Sequence, residues 1–289
     1  MRALICILFI FSVWAAVSQA EAPPALHVPA VLIAGEATTV ANTGSGSETF
    51  YLIGLGHVAK REIRDGENIQ LSTGDLATAG NYQAILCSGG DCTGTDFYVA
   101  PASAKDLIFL VHPSRVAVGD PNAISAVTVV LDRFRNLVLQ PQAVVFRATT
   151  KDSAISSPPQ MARNGIAWTR LNSGMKDGAL DITASLGQLS ERRVVQQVAA
   201  DPCHLRISVE QKDGQVMLQT EPVRDCRGNA VPDGTIVTFT KVDRLGRSTV
   251  DAPIKRGVAR TEMAFAGPAT ISVACGVVLG NDIRIGGAR

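Results

Sequence analysis

Cysteine is the residue type whose number and spacing most clearly suggest chemistry in this chain. The sequence has six cysteines, and Cys6 lies in an apolar N-terminal run that we expect to be removed, which leaves five (6 − 1 = 5) in the mature protein. Cys87 and Cys92 flank a turn-rich segment, residues 88–91, between two strand-like runs. We predict a disulfide across this hairpin, because the pair lacks both the CxxC spacing of redox sites and a neighbouring histidine.

The other three cysteines of the mature chain are expected at the same end of one β-sandwich, so spacing alone leaves two pairings open. We favour Cys203 with Cys226, because the hairpin signal Asp213-Gly214 would fold the two segments antiparallel and bring these residues nearly opposite each other. Cys275 would then be a buried free thiol. The alternative joins Cys226 to Cys275 and leaves Cys203 exposed and able to link a second chain.

Other residue types that support catalysis or metal binding are scattered. The four histidines are spread over three predicted domains without an HExxH motif or a paired spacing. Gly54-Leu55-Gly56 lacks the third glycine and the following helix of a nucleotide-binding loop, and Ser45 and Ser47 have no nucleophile-elbow context. We therefore expect no catalytic residue, no metal site and no cofactor, and we predict that the protein is not an enzyme.

Aromatic side chains also give little support for ligand binding. Phe, Trp and Tyr make up 5% of the chain, which argues against a carbohydrate-binding surface. Tyr51, Tyr98 and Trp168 each lie in a strand-like run, where packing in the core is the expected role. We expect no small-molecule ligand.

Residues 1–20 have the features of a secretory signal peptide, with Met1 and Arg2 before an apolar run and small residues leading to Ala20. The run is shorter than the roughly 20 apolar residues that span a membrane. We expect a soluble mature protein without membrane insertion that is secreted, periplasmic or associated with the cell surface. Removal of Arg2 leaves 26 basic residues (27 − 1 = 26) against 26 acidic ones, and this neutral balance gives no electrostatic reason to bind nucleic acid.

A domain-length repeat is visible within the chain. Six residues recur at one constant offset (225 − 132 = 93, 239 − 146 = 93). The first set is Val130, Asp132, Asn136, Val138, Val144 and Phe146, and the second is Val223, Asp225, Asn229, Val231, Val237 and Phe239. Each set runs from a β-rich segment through a polar turn to another β-rich segment, which is typical of an immunoglobulin-like sandwich of about 100 residues.

The elements that would position these residues are short strands. Strand-like runs, among them 27–33 and 203–209, alternate with turns rich in Gly, Ser and Asp, and no window has a sustained helical period. Leu76, Gly80 and Tyr82 resemble the tyrosine corner of sandwich domains, in which a Tyr hydroxyl bonds to upstream backbone. The predicted fold is all-β: three tandem immunoglobulin-like β-sandwich domains after the signal peptide. Linker-like segments place these domains at 22–101, 105–200 and 203–289.

The segment from Val223 to Thr240 resembles group 1 bacterial immunoglobulin-like domains of the invasin and intimin type. The stretch from Gly257 to Ala274 is similar to the later strands of those domains. The resemblance is strongest over 203–289, weaker over 105–200 and only general over 22–101. It implies end-to-end domains that act as stiff spacers and often present a binding module beyond the cell surface.

These observations favour a secreted or periplasmic, non-enzymatic structural or adhesion-related protein, acting as a β-sandwich spacer or protein-binding scaffold. The expected partner is a protein at the cell surface or in an extracellular assembly. One alternative is a subunit of an extracellular filament or surface assembly, whose edge strands pair between molecules. Another is a set of accessory polysaccharide-binding domains belonging to a larger enzyme system.

Overall fold

Strands form all of the regular secondary structure in the part of the chain that the structure describes. The computed structural model describes residues 26–44, 46–151, 153–212, 215–264 and 267–286, and the predicted signal peptide lies outside these ranges. Within them, no helix is long and apolar enough to cross a membrane. The chain divides between Pro101 and Ala102 into two compact units, here called the N-terminal and the C-terminal unit.

The N-terminal unit contains two sheets. A three-stranded sheet has the order β1-β3-β6, and a five-stranded sheet has the order β2-β8-β7-β4-β5, with β2 parallel to β8. The strands are β1 (Leu26–His27), β2 (Val31–Ile33), β3 (Thr38–Asn42), β4 (Glu48–Gly54), β5 (His57–Ile63), β6 (Ile69–Leu71), β7 (Gly80–Ser88) and β8 (Asp91–Ala100).

The first copy of the repeat, within the C-terminal unit, also has two sheets. A three-stranded sheet has the order β15-β11-β9, and the second sheet has the order β10-β17-β16-β12-β13, with β14 also paired to β12. The strands are β9 (Asp106–His112), β10 (Arg115–Ala117), β11 (Ile124–Leu131), β12 (Gln142–Thr149), β13 (Ala154–Ser156), β14 (Gln160–Ala162), β15 (Ile166–Leu171), β16 (Gly178–Leu186) and β17 (Leu189–Val198).

The second copy of the repeat follows the same plan. One sheet has the order β18-β19-β22, and the other has the order β21-β20-β23-β24, with β25 also paired to β23. The strands are β18 (Ile207–Lys212), β19 (Gln215–Thr220), β20 (Ile236–Asp243), β21 (Gly246–Pro253), β22 (Arg260–Ala264), β23 (Ala269–Cys275), β24 (Val278–Leu279) and β25 (Ile283–Ile285).

The C-terminal unit holds two separate clusters of buried apolar side chains, one in each copy. Phe146 and Phe239 are fully buried at equivalent repeat positions, and Phe146 packs against Phe109 with ring centroids 6.1 Å apart. In β12 and β20 the buried residues alternate with more exposed ones, as expected when one face of a sheet covers a core. The all-β, immunoglobulin-like prediction is therefore confirmed.

Several predicted strand bounds were wrong. The predicted strand 27–33 is split into β1 and β2 around Pro29, which lacks an N–H, and the two pieces pair in different sheets. The predicted strand 203–209 begins only at Ile207, after His204 adopts a left-handed backbone with φ 57°. Neither β5 nor β21 is predicted from the sequence, since both are largely polar edge strands without a buried stripe.

Candidate functional site

A polar loop between β11 and β12 is organised by the buried carboxylate of Asp132. Its Oδ1 accepts the backbone N–H groups of Phe134 and Asn136, both at 2.8 Å. Its Oδ2 accepts Asn136 Nδ2 at 2.8 Å and the backbone N–H of Ala102 at 3.0 Å. One side chain therefore shapes the turn and ties it to the segment that enters the first copy.

The second copy repeats this loop atom for atom around Asp225. Its Oδ1 accepts the N–H groups of Arg227 at 2.9 Å and Asn229 at 2.8 Å, while Oδ2 accepts Asn229 Nδ2 at 2.8 Å and the N–H of Ala200 at 3.2 Å. Burial raises the pKa of Asp225, but the hydrogen bonds from Asn229, Ala200 and Arg227 outweigh burial and hold this pKa below its ordinary value. In both copies, a buried Asp carboxylate therefore connects the loop to the segment that enters the domain.

Asn229 also joins the second copy to the first. Its Nδ2 donates to Met175 O at 3.1 Å, and its Oδ1 accepts the N–H of Asp177 at 3.2 Å. Asn229 is only 3% exposed, so both copies exclude water from its amide. Separating the two copies would be costly, because the buried amide of Asn229 and its partners in the first copy would each lose a hydrogen bond.

Arg227 makes a second link across the same boundary. Its guanidinium donates to Val118 O and Gly119 O, both at 3.3 Å. A Cβ added to Gly119 would lie 1.9 Å from Arg227 Cζ, so only glycine leaves room for this approach. Neither link was predicted from the sequence, since the partners of Asn229 and Arg227 lie more than 50 residues away along the chain.

The cysteines of the second copy lie at this end of the domain. Cys203 and Cys226 have Sγ atoms 2.06 Å apart, at disulfide distance, which adds a covalent tie between the entering segment and the Asp225 loop. The neighbouring strands β18 and β19 pair antiparallel from Ile207↔Thr220 to Lys212↔Gln215, while the predicted turn at residues 213 and 214 lies outside the described residues.

Cys275 is a free thiol that is 3% exposed in the core of the second copy. Burial raises its pKa, and the charge of Asp201 raises it further. A buried neutral thiol is poorly suited to linking a second chain. The unpaired cysteine therefore gives no support to a cross-linked filament.

In the N-terminal unit, Cys87 and Cys92 are directly opposite each other in β7 and β8, with Sγ atoms 2.05 Å apart. The turn between these strands contains Gly89 and Gly90, with φ 58° and 104°, as a tight two-residue hairpin loop requires. The pair joins the two strands next to the turn of the hairpin.

The tyrosine-corner prediction is confirmed in the same unit. Tyr82 is buried, and its hydroxyl donates to Thr78 O at 2.9 Å. Burial raises the pKa of Tyr82. A Cβ on Gly54 would lie 2.2 Å from the Tyr82 ring, so a glycine at this position allows the ring to pack closely against the backbone.

Polar groups also cluster around the buried Asp75. Its Oδ1 lies 3.5 Å from His57 Nε2, and its Oδ2 lies 2.5 Å from the guanidinium of Arg61. The N–H and hydroxyl of Ser72 donate to Oδ2, both at 2.7 Å. Burial alone would raise the pKa of Asp75, but these bonds lower it overall. The carboxylate is thus held as a structural anion that fixes a turn.

Trp168 occupies a different place from the one predicted. The expectation that it packs in the core was wrong, because Ala167 and Leu171 point inward on β15 while Trp168 points outward and is 63% exposed. Tyr51 and Tyr98 are half-buried. The alternation of small and large apolar residues in β15 was the available signal, but it does not say which face meets the core.

Among the described residues, no three His, Cys, Asp or Glu side chains are grouped so that they could hold a metal ion. The structure offers three candidate functional regions: the two Asp-Asn loops, the junction between the copies and the outer face around Trp168.

Solved structures share this architecture. FdeC, an adhesin of Escherichia coli, aligns over 91% of this chain and 96% of its own, with a TM-score of 0.63 and 14% identity. The bacterial integrin-binding protein invasin aligns over 91% of this chain and 59% of its own, with a TM-score of 0.54 and 14% identity. The chain has the invasin-type immunoglobulin-like fold. No protein-family model and no curated protein sequence matches it.

Proposed function

We propose that this chain is a secreted or surface-associated, non-enzymatic, adhesion-related protein that acts as a spacer or protein-binding scaffold. The observation that carries the proposal is the junction between the two copies, where the buried amide of Asn229 is shared by both. A spacer needs neighbouring domains that keep a fixed relation under load. The bonds of Asn229 and Arg227 reach the first copy, and Asp225 holds the linker at Ala200 to the second copy. The pair Cys203 and Cys226 lies within the second copy, beside this linker.

Three domains, at residues 22–101, 105–200 and 203–289, form part of this proposal. It is supported by the separate core cluster in each copy and by the unit boundary at Pro101. The two cysteine pairs at disulfide distance suit an oxidising compartment outside the cytoplasm. The fold shared with an adhesin and an integrin-binding protein adds support by analogy.

The proposal is tested in cells that encode the protein. Antibody labelling of intact cells and of the culture medium reports exposure, and adhesion to host or neighbouring cells is compared for the wild type, a deletion and the complemented deletion. We expect surface or medium labelling and a loss of adhesion that complementation restores. Unchanged adhesion together with a catalytic activity that a point mutation abolishes would contradict the proposal.

A further inference from the structure

The outer face of the three-stranded sheet in the first copy is unusually apolar. On β15, β11 and β9, register places Trp168, Val127 and Leu110 in one row across the sheet, and Ile166, Val129 and Ile108 in the next. We call these six residues the Trp168 face. Trp168 and Leu110 are 63% and 60% exposed, so the face ends in two large apolar side chains that water surrounds.

A groove of about 460 Å³ continues the Trp168 face beyond β15. Its lining residues include Trp168, Ile166 and Met161, together with Arg163 and Arg170. Met161 is 51% exposed. Contiguous exposed apolar side chains with a polar border are the pattern of a protein-binding surface, and Trp and Arg are the residues that contribute most to such interfaces.

The charged residues that line the groove beside the Trp168 face, Arg163 and Arg170, are both positive. Arg170 Nη1 donates to Asn122 O at 3.3 Å, and among the described residues neither Arg163 nor Arg170 forms an ion pair with a carboxylate. The carboxylate that β9 carries, Asp106 at the edge of the face, already lies 3.6 Å from Arg135. If a second copy of this chain docked by the same face, the arginines of the two copies would repel each other.

We propose that the Trp168 face binds a protein segment in which apolar side chains are flanked by carboxylates. This inference deepens the proposed scaffold function by naming the surface and the chemistry of its partner. Apolar side chains of the partner would cover Trp168 and Leu110, and its Asp or Glu carboxylates would pair with Arg163 and Arg170. Burial of the indole supplies affinity, and the arginines select the sign of charge.

The test pans a phage-displayed library of random 12-residue peptides on the purified full chain and measures the selected peptides as synthetic probes. We expect peptides that combine apolar residues with Asp or Glu. Trp168→Ala should weaken their binding at least tenfold, as should Arg170→Glu. Leu279→Ala, at an apolar residue that is 80% exposed on the second copy, and Arg247→Glu, at an exposed arginine there, are matched controls that should leave binding unchanged.

Trp168 fluorescence provides a direct second readout when the chain is purified without residues 1–20, because Trp14, the other tryptophan of the chain, lies in this predicted signal peptide. Covering the indole should shift its emission to shorter wavelength. Selection of basic peptides, selection that Trp168→Ala does not affect, no selection at all, or an emission shift with an acidic oligosaccharide alone would each overturn the proposal. Panning uses purified protein, so its failure is distinguishable from a failure of the cellular adhesion test.

Discussion

Arg135 and Gly228 occupy the same position in the two copies of the polar loop, 93 residues apart (228 − 135 = 93). Both have a left-handed backbone, with φ 69° and 83°. Their N–H groups donate to equivalent carbonyls, to Asp132 O at 3.1 Å and to Asp225 O at 3.0 Å. In the first copy, Arg135 therefore adopts the left-handed backbone conformation that favours glycine, and the second copy has glycine at the equivalent position.

Exchanging these residues should change the stability of the copies in opposite directions. Arg135→Gly should raise the free energy of unfolding of the first copy by about 0.5–1 kcal/mol, and Gly228→Arg should lower that of the second by about 1 kcal/mol. The lost contact of Arg135 with Asp106 is exposed and contributes little. Urea unfolding followed by hydrogen exchange of each copy measures both values. A destabilising Arg135→Gly would show that the conformation is not strained.

The Asp225 loop should make the second copy sensitive to acid. Because the folded pKa of Asp225 lies below the ordinary value of 3.8, its stabilising contribution is present above that value and disappears as pH falls through the folded pKa. Asp225→Asn should lower stability at neutral pH and flatten its decline below about pH 4. Asp282→Asn, at an exposed aspartate, is the control. Identical pH profiles for Asp225→Asn and the wild type would contradict this role.

Gly119→Ala should loosen the junction between the copies. The added methyl would displace the guanidinium of Arg227 from Val118 O and Gly119 O. Gly187→Ala is the matched control, because Gly187 also has positive φ but nothing lies within 4 Å of its added Cβ. We expect both variants to lose about 1 kcal/mol of stability, and only Gly119→Ala to accelerate protease cleavage at residues 199–202. Equal cleavage of the two variants would mean that Arg227 does not hold the junction.

The paired cysteines and the buried Cys275 should be distinguishable by peptide mapping and by their reaction with a thiol reagent. Peptide mapping without reduction should recover Cys87 with Cys92 and Cys203 with Cys226, and a thiol reagent at pH 8 should label Cys275 only after unfolding. Replacing Cys203 and Cys226 together by serine should cost about 3 kcal/mol, as the loss of a loop of this length predicts. A peptide joining Cys226 to Cys275, or rapid labelling of native Cys275, would contradict this arrangement.

The sequence predicts the parts of this fold that depend on local patterns. The alternation at Val237 and Phe239 predicts an inward face, and Asp225 and Asn229 predict a polar turn. The hydrogen bonds by which the Asp225 carboxylate organises this turn are visible only in the structure. The edge strand β21 has no such pattern, because both of its faces are largely polar. The second set of partners of Asn229 depends on how the two copies meet, which no local signal contains.

The face of β15 on which Trp168 lies also could not be predicted from the sequence. A strand one residue out of register presents the opposite face, and a tryptophan among Ile166 and Leu171 fits a core as well as an interface. Only the pairing of β15 with β11 resolves the choice, by placing Trp168 opposite the outward Val127.

The two copies should behave as one stiff element, joined through Asn229. Residual dipolar couplings measured on the full chain can establish this, because they report the orientation of each backbone N–H in a common frame. We predict that a single alignment tensor fits the strands of residues 106–198 and 207–285 together, and that Asn229→Ala separates them into two tensors. Two independent tensors in the wild-type protein would show that the copies move separately and that Asn229 does not join them stiffly.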